Sequence, residues 1–200
     1  MDTAPPRRGA HVLDAALRVI AEDGFAALSM RTVATAAGVS LAQVQYYFRS
    51  KDELLAAAFE HVSADVVARA EQVDTNGPTR EVLRGLLHVW LPLDEERERA
   101  ARVWLAFTAA AATSPTLGPS NAVLDADLRT GFAELLREAQ TSGELPVDRD
   151  PDLEAALLLA VVDGLVVQSL ALPAERRAAL LVAALDTHLN RLFAPAVRRG

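Results

Sequence analysis

An all-α protein is predicted from three observations. No segment shows the period-two alternation of a half-buried strand, Pro and Gly punctuate the chain into blocks, and the blocks repeat apolar residues at helical spacing. About nine helices follow, arranged as an N-terminal three-helix domain that contains a helix-turn-helix and a larger helical domain behind it. A length of 200 residues suits one sizeable core or a small domain carried on a larger one, and a hydrophobic content of 51 % excludes a disordered chain. Cysteine is absent, which removes disulfides, thiolate metal sites and a cysteine nucleophile and fits a reducing, cytoplasmic setting.

Helix one is predicted over about 8–21, with Leu13, Leu17 and Ile20 on one stripe and Gly24 as the break after it. Asp14 and Arg18 interrupt the apolar stretch that a secretory signal needs, so none is expected. Ser29 has the place of an N-cap for helix two and Gly38 that of its stop. Ser40 caps a short helix three that ends near Tyr47. In SKDE, Ser50 and Glu53 have capping-box spacing, so a long helix four starts there and runs to about Asp74, where TNGP ends it. Five more helices are predicted at about 79–91, 94–113, 120–142, 151–172 and 174–193, with Asp150-Pro151 as a start signal and Gly143 as a stop. The domain boundary is placed after residue 52, giving 1–52 and 53–200. The longest apolar run, 155–172, nearly reaches membrane-spanning length but holds Asp163, Gly164, Gln168 and Ser169. An Asp at mid-membrane costs roughly 2.5–3.5 kcal/mol, so a buried interface helix and no membrane partner are expected.

The net charge of −7 argues against a nucleic-acid partner until its distribution is followed. Residues 1–51 carry six basic and four acidic side chains, a net +2 that leaves −9 to the rest. Between Gly24 and Lys51 there is no Asp or Glu, while Arg31, Arg49 and Lys51 are present, so a polyanion can approach that block. The same block contains two short helices, 29–37 and 40–47, joined by a Gly-Val-Ser turn. The second helix of such a pair enters the DNA major groove. With Val39 and Val44 turned inward, Leu41, Ala42, Gln43, Gln45 and Tyr46 are left to face out. Glutamine can pair both edge groups of adenine, and tyrosine hydroxyls and lysine ammonium groups reach phosphates. Phe48 fills the junction with helix four, whereas Tyr46 and Tyr47, being adjacent, cannot both face inward from one helix.

The stretch AALRVIAEDGFAALSMRTVATAAGVSLAQVQYYFRSKDELL, with its G-F turn, R-x-V-A-x-x-A-G-V-S and Y-Y-F-x-S-K-x-x-L, resembles the N-terminal DNA-binding domain of TetR-like transcriptional regulators over roughly Arg7 to Ala57. The resemblance implies that Arg31 reaches DNA from helix two and that Tyr47 and Lys51 touch phosphate. With Ser40, Leu41, Gln43, Gln45 and Tyr46 they form the expected DNA-contacting set. Where the family commonly has glycine and a further aromatic, this chain has Ala42 and Gln45. LPLDEERERAARVWLAFTAAA and LLLAVVDGLVVQSL are similar to the C-terminal domain of the BetI-type branch, which implies a ligand-binding and dimerisation domain. Repression is the commonest mode in the family, so a repressor that releases a palindromic operator on binding a small effector is expected.

Helices of about 79–172 hold both tryptophans, Trp90 and Trp104, with Phe107 and Phe132, and few polar groups expected to face inward: His88, Thr108, Asp163 and Gln168. That composition suits a pocket for a small, largely apolar molecule, with plain core filling as the competing account for each residue. A homodimer is expected through the last two helices, on the Leu157-Leu158-Leu159 run and the stripe of Leu180, Leu181, Leu185, Leu189 and Leu192, with Gly164 allowing close approach. Enzyme classes lack their minimum constellations. His11, His61, His88 and His188 are scattered without metal-ligand spacing, and no phosphate-cradling glycine loop or serine elbow is present. The acid run 94–98 suits the start of a helix, where carboxylates favour the macrodipole. No catalytic residue, metal or cofactor is therefore expected. A helical structural or interaction protein, or a small-molecule-binding protein without DNA function, is the alternative.

Overall fold

The computed structural model describes residues 9–195; the secretory-signal reading in part, the predicted first residue of helix one and Arg7 fall outside them. Among the described residues there are nine α-helices, one 3-10 turn and no strand. They are α1 (Ala10–Asp23), the turn Phe25–Ala27, α2 (Met30–Ala37), α3 (Leu41–Tyr47), α4 (Lys51–Ala70), α5 (Thr79–His88), α6 (Glu95–Ala111), α7 (Gly118–Thr141), α8 (Pro151–Ser169) and α9 (Ala174–Leu192). None of these helices is long and apolar enough to cross a membrane.

Local chemistry sets most of the boundaries. Ser29 Oγ accepts from the Thr32 N–H at 3.1 Å while Thr32 Oγ1 accepts from the Ser29 N–H at 2.9 Å, so each end of this capping box satisfies an orphan donor of α2. Gly38 then takes the left-handed conformation, φ 67°, that ends the helix and turns the chain toward α3. Ser40 Oγ accepts from the Gln43 N–H at 3.1 Å. At α4 the expected box is one residue wider than predicted. Ser50 Oγ caps the Glu53 N–H at 3.1 Å, but Glu53 reaches back to the Arg49 N–H at 2.7 Å. α4 also stops at Ala70 rather than near Asp74, because the N–H groups of Gln72 and Val73 turn onto the carbonyls of Arg69 and Ala70. α5 stops at His88 in the same way, with Val89 and Trp90 bonded to Leu86 and Leu87 and Pro92 just beyond. Asp150 caps α8 as predicted, accepting from the N–H groups of Asp152 and Leu153.

The chain divides into two compact units. The first runs through Asp65 and includes Arg102–Pro119. Its apolar cluster joins Val12, Ala15, Ala16, Val19 and Ile20 of α1 to Val33 of α2, Val44 of α3, Leu54, Leu55 and Ala58 of α4, and Val103, Ala106 and Phe107 of α6. The predicted α1 stripe of Leu13, Leu17 and Ile20 is thereby widened by small residues, and Leu17 is only half-buried. Packing thus carries this unit past residue 52.

The second unit comprises Val66–Ala101 and the chain from Ser120 onward. There α5 is tied to α9 by Arg84, whose Nε and Nη2 donate to Asp186 at 2.6 and 3.2 Å, and by Arg80 Nε, which donates to Asn190 at 3.0 Å. Arg177, 5 % exposed, closes the α8–α9 corner: it donates to the carbonyls of Ser169 and Leu172, both at 3.0 Å, and pairs with Glu98 at 2.5 Å. The leucine stripe expected to meet a partner copy is corrected here. Leu181, Leu185, Leu189 and Leu192 are at most 3 % exposed within the subunit, and Leu158 and Leu159 are buried too. They occupy the inner arcs of α8 and α9, leaving Leu157 and Leu180 outside.

Candidate nucleic-acid interface

α3 is amphipathic over only seven residues. Val44 is fully buried against α1 and α2, Phe48 closes the junction behind it, and Val39 packs partly on the same cluster. This fixes the opposite side outward. Ala42, Gln43, Gln45 and Tyr46 are exposed, Tyr46 to 78 %, while Leu41 is half-buried. Ser40 is exposed and its hydroxyl oxygen is engaged as the cap of α3. A short helix that presents two amide side chains and a phenol, held by one buried valine, can offer hydrogen bonds to a polar partner with little rearrangement.

Two basic groups lie on the neighbouring helices of the same unit. Arg31 lies exposed in the first turn of α2, and Lys51, opening α4, holds its ammonium 4.3 Å from the centroid of the Phe25 ring. The acids that follow Lys51 are occupied. Asp52 accepts from Ser114 Oγ at 2.8 Å and Glu53 accepts from the Arg49 N–H, and both favour the N-terminus of α4. Tyr47 is half-buried between three neighbours. Tyr46 meets it edge-on with ring centroids 5.3 Å apart, His11 does so at 5.9 Å, and a Cβ on Gly9 would come within 3.0 Å of its Cγ. Gly9 needs its freedom for a second reason, its φ of 82°.

Sequence reasoning missed Gly9, His11 and Ser114. A glycine before a helix carries no pattern, and the Asp52–Ser114 bond joins residues 62 positions apart.

The residues expected to line an effector pocket fall in both units and are described by unit. In the first, Phe107 is 3 % exposed and stacks on Phe59 with centroids 4.1 Å apart, Trp104 is half-buried, and Thr108 buries its Oγ1 with no hydrogen-bond partner. In the second, Trp90 meets Phe132 edge-on at 5.7 Å and His88 buries its Nε2, also without a partner. Burial, followed by the charge of Arg84, holds the His88 pKa below the usual histidine range. Asp163 and Gln168 are corrected: both are exposed on α8. The inner arc of that helix is taken by Ala155, Leu158, Leu159, Val162 and Val166, which leaves residues 163 and 168 on the other side. The surrounding apolar side chains nonetheless raise the Asp163 carboxyl above its usual range. Among the described residues, no cluster of His, Cys, Asp and Glu is suited to a metal ion.

Residues 12–58 match the family described as bacterial regulatory proteins, tetR family, and residues 78–194 match the BetI-type transcriptional repressor C-terminal domain. The chain belongs to the tetR family of transcriptional regulators. The HTH-type transcriptional regulator PksA of Bacillus subtilis is 33 % identical over 166 residues, covering 82 % of this chain and 79 % of PksA. The regulator BetI of Rhizobium meliloti is 32 % identical over 168 residues, covering 82 % and 78 %. Among solved structures, a transcriptional regulator from Rhodococcus sp. Rha1 superposes with a TM-score of 0.82 at 34 % identity, covering 92 % of this chain and 94 % of that one. A regulator from Saccharomonospora viridis, solved in complex with choline, superposes with a TM-score of 0.76 at 26 % identity, covering 91 % and 93 %. These TetR-type relatives regulate transcription and are not enzymes, and the chain shares their helix-turn-helix and all-α C-terminal architecture.

Proposed function

We propose that this TetR-type regulator is a cytoplasmic, homodimeric repressor that leaves a palindromic operator when a small, largely apolar molecule binds its C-terminal helices. The reading assigns residues 1–52 to DNA binding and 53–200 to effector binding and dimerisation. It is carried by the outward row of α3, where Gln43, Gln45 and Tyr46 stand exposed, in the unit that also has the exposed Arg31 in the first turn of α2 and Lys51 at the start of α4. Arg31, Gln43, Gln45 and Tyr46 read base edges, Leu41 packs on them, and Ser40, Tyr47 and Lys51 position the backbone. Two copies of α3 must lie about one DNA turn apart, roughly 34–36 Å or a multiple, to meet successive major grooves.

The exposed arc of α8 supports the dimer. Leu153, Leu157, Ala160, Asp163, Gly164, Val167 and Gln168 share one side of the helix, Leu153 is 56 % exposed, and a Cβ on Gly164 would touch nothing. Asp163 and Gln168 are thereby reassigned from the effector to this seam, together with Leu180 of α9. For the effector, His88, Trp90 and Phe132 of the second unit remain one candidate lining, and Trp104, Phe107 and Thr108 of the first unit remain another, each taken by itself. The choline bound by the Saccharomonospora viridis regulator supports a small organic ligand. The effector favours a spacing of the two DNA-binding domains that no longer fits the operator, and operator DNA weakens effector binding by the same factor. An electrophoretic shift on promoter DNA tests the first half: a discrete complex that survives competitor DNA is expected, and purely non-specific retention overturns the operator reading.

A further inference from the structure

We infer that His88 orients the effector, and that the effector presents a neutral hydroxyl or carbonyl group to its imidazole within an otherwise apolar frame. This rests on the effector reading above. Arg80, Arg84 and His88 follow one another at four-residue spacing on one face of α5. The first two are spent on α9: Arg80 on Asn190 and Arg84 on Asp186, so the rungs climb α5 as they descend α9 by four residues. The next position in that register is Val182, which has no side-chain polar atom. His88 therefore ends the row with its Nε2 buried and without a partner. Its own carbonyl is fixed by Arg97 Nη1 at 3.2 Å, so the helix end that carries it is held in place.

A buried polar atom left unpaired costs about 1–3 kcal/mol, so a partner that reaches this nitrogen recovers that cost. The surroundings limit that partner. Trp90, two residues beyond the end of α5, meets Phe132 edge-on, which puts an apolar aromatic pair next along the chain from His88. The charges around His88 are the cations Arg84 and Arg97 and the anion Asp186, whose carboxylate is already held by Arg84. Burial and the two arginines keep the imidazole neutral near pH 7, so it can donate or accept one hydrogen bond. A quaternary ammonium would meet those arginines unfavourably, whereas a hydroxyl or carbonyl pays no charge penalty.

The test titrates the full-length dimer, by its tryptophan fluorescence, with probes that exchange a hydroxyl for a methyl: 4-phenylphenol against 4-methylbiphenyl, and 2-naphthol against 2-methylnaphthalene. Phenyltrimethylammonium supplies the cationic arm. The hydroxylated probes are expected to bind about tenfold more tightly than their methyl partners, and the cation least well. His88→Phe should bring the ratio of hydroxyl-probe to methyl-probe affinity to within about twofold, both affinities being read on the same variant. His88→Leu serves if the phenyl ring overfills the site. Equal binding of hydroxyl and methyl probes by the unaltered protein, tightest binding of the cation, or a preference that survives both variants overturns the inference and leaves the effector reading intact. Failure of every probe to bind overturns both.

Discussion

α3 and α8 each leave one face uncovered in the subunit, and the two faces have opposite chemistry. On α3 the exposed side carries Gln43, Gln45 and Tyr46, and the neighbouring α2 and α4 of the same unit contribute Arg31 and Lys51. On α8 it carries Leu153, Leu157 and Val167, with small Ala160 and Gly164 between them. The inner sides are alike: Val44 in one, Leu158 and Val162 in the other. Burial inside the subunit thus says how each helix is held, and the uncovered side says what is to cover it. A row of hydrogen-bonding groups among cations suits a polyanion that carries its own donors and acceptors. A row of leucine, valine and glycine suits the same row on a second copy, where self-complementarity comes from twofold symmetry.

Putting a charge on the apolar face should have the largest effect. Leu157→Asp is expected to raise the dimer dissociation constant by about 30-fold or more, as for loss of a central interface anchor of about 2 kcal/mol. Because Leu157 is 45 % exposed in the subunit, far-ultraviolet circular dichroism should not change. Light scattering at micromolar concentration reads the outcome, and an intact dimer would place the seam elsewhere. Operator retention should fall in parallel, since a monomer brings only one α3 to the DNA.

The polar face breaks in two distinguishable ways. Gln43→Ala is expected to cost about 1–3 kcal/mol of discrimination between operator and scrambled duplex, with non-specific affinity unchanged. Lys51→Ala should weaken both duplexes alike and reduce the slope of log affinity against log salt by about one, because it removes a phosphate contact and not a base contact. Matched salt titrations of the two variants decide the assignment. A Gln43→Ala protein with unaltered operator preference would remove that residue from the reading set.

What was legible in the sequence follows from the range of each interaction. Ser29, Gly38 and Ser40 act on residues three or four positions away, so the motif and its boundaries could be read directly. The outer face of α8 could not, because apolar residues run almost all round that helix and periodicity names no inner side. Asp163 and Gln168 were misplaced for that reason. The α9 leucines were misassigned because a stripe shows that a helix is buried without showing whether its own chain or a copy buries it. Long-range bonds leave no trace at all, and Ser114 is the case in point. Its hydroxyl serves Asp52 and the N–H groups of Thr116 and Leu117. Ser114→Ala is expected to cost about 1 kcal/mol, or roughly 2–4 °C in Tm, measurable by thermal denaturation.

The smallest expected effect returns to α8 and concerns Asp163. Its carboxyl is raised by desolvation alone, although it still meets solvent in the subunit. If a second copy covers the α8 face, desolvation deepens and the pKa rises further on association, so the dimer binds protons more tightly than the separated subunits. By linkage, association must then strengthen as pH falls toward that raised value and weaken as pH rises through it, by less than about tenfold per pH unit for each carboxyl. Asp163→Asn removes the titrating group while keeping its shape. It should tighten the dimer at pH 7.5 and flatten the dependence of its dissociation constant on pH, as measured by sedimentation from about pH 4, near the ordinary carboxylate range, up to about 8. A carboxyl that stays in water on the dimer would show neither effect, and a pH profile identical in Asp163→Asn would mean that the uncovered face of α8 does not close around this residue.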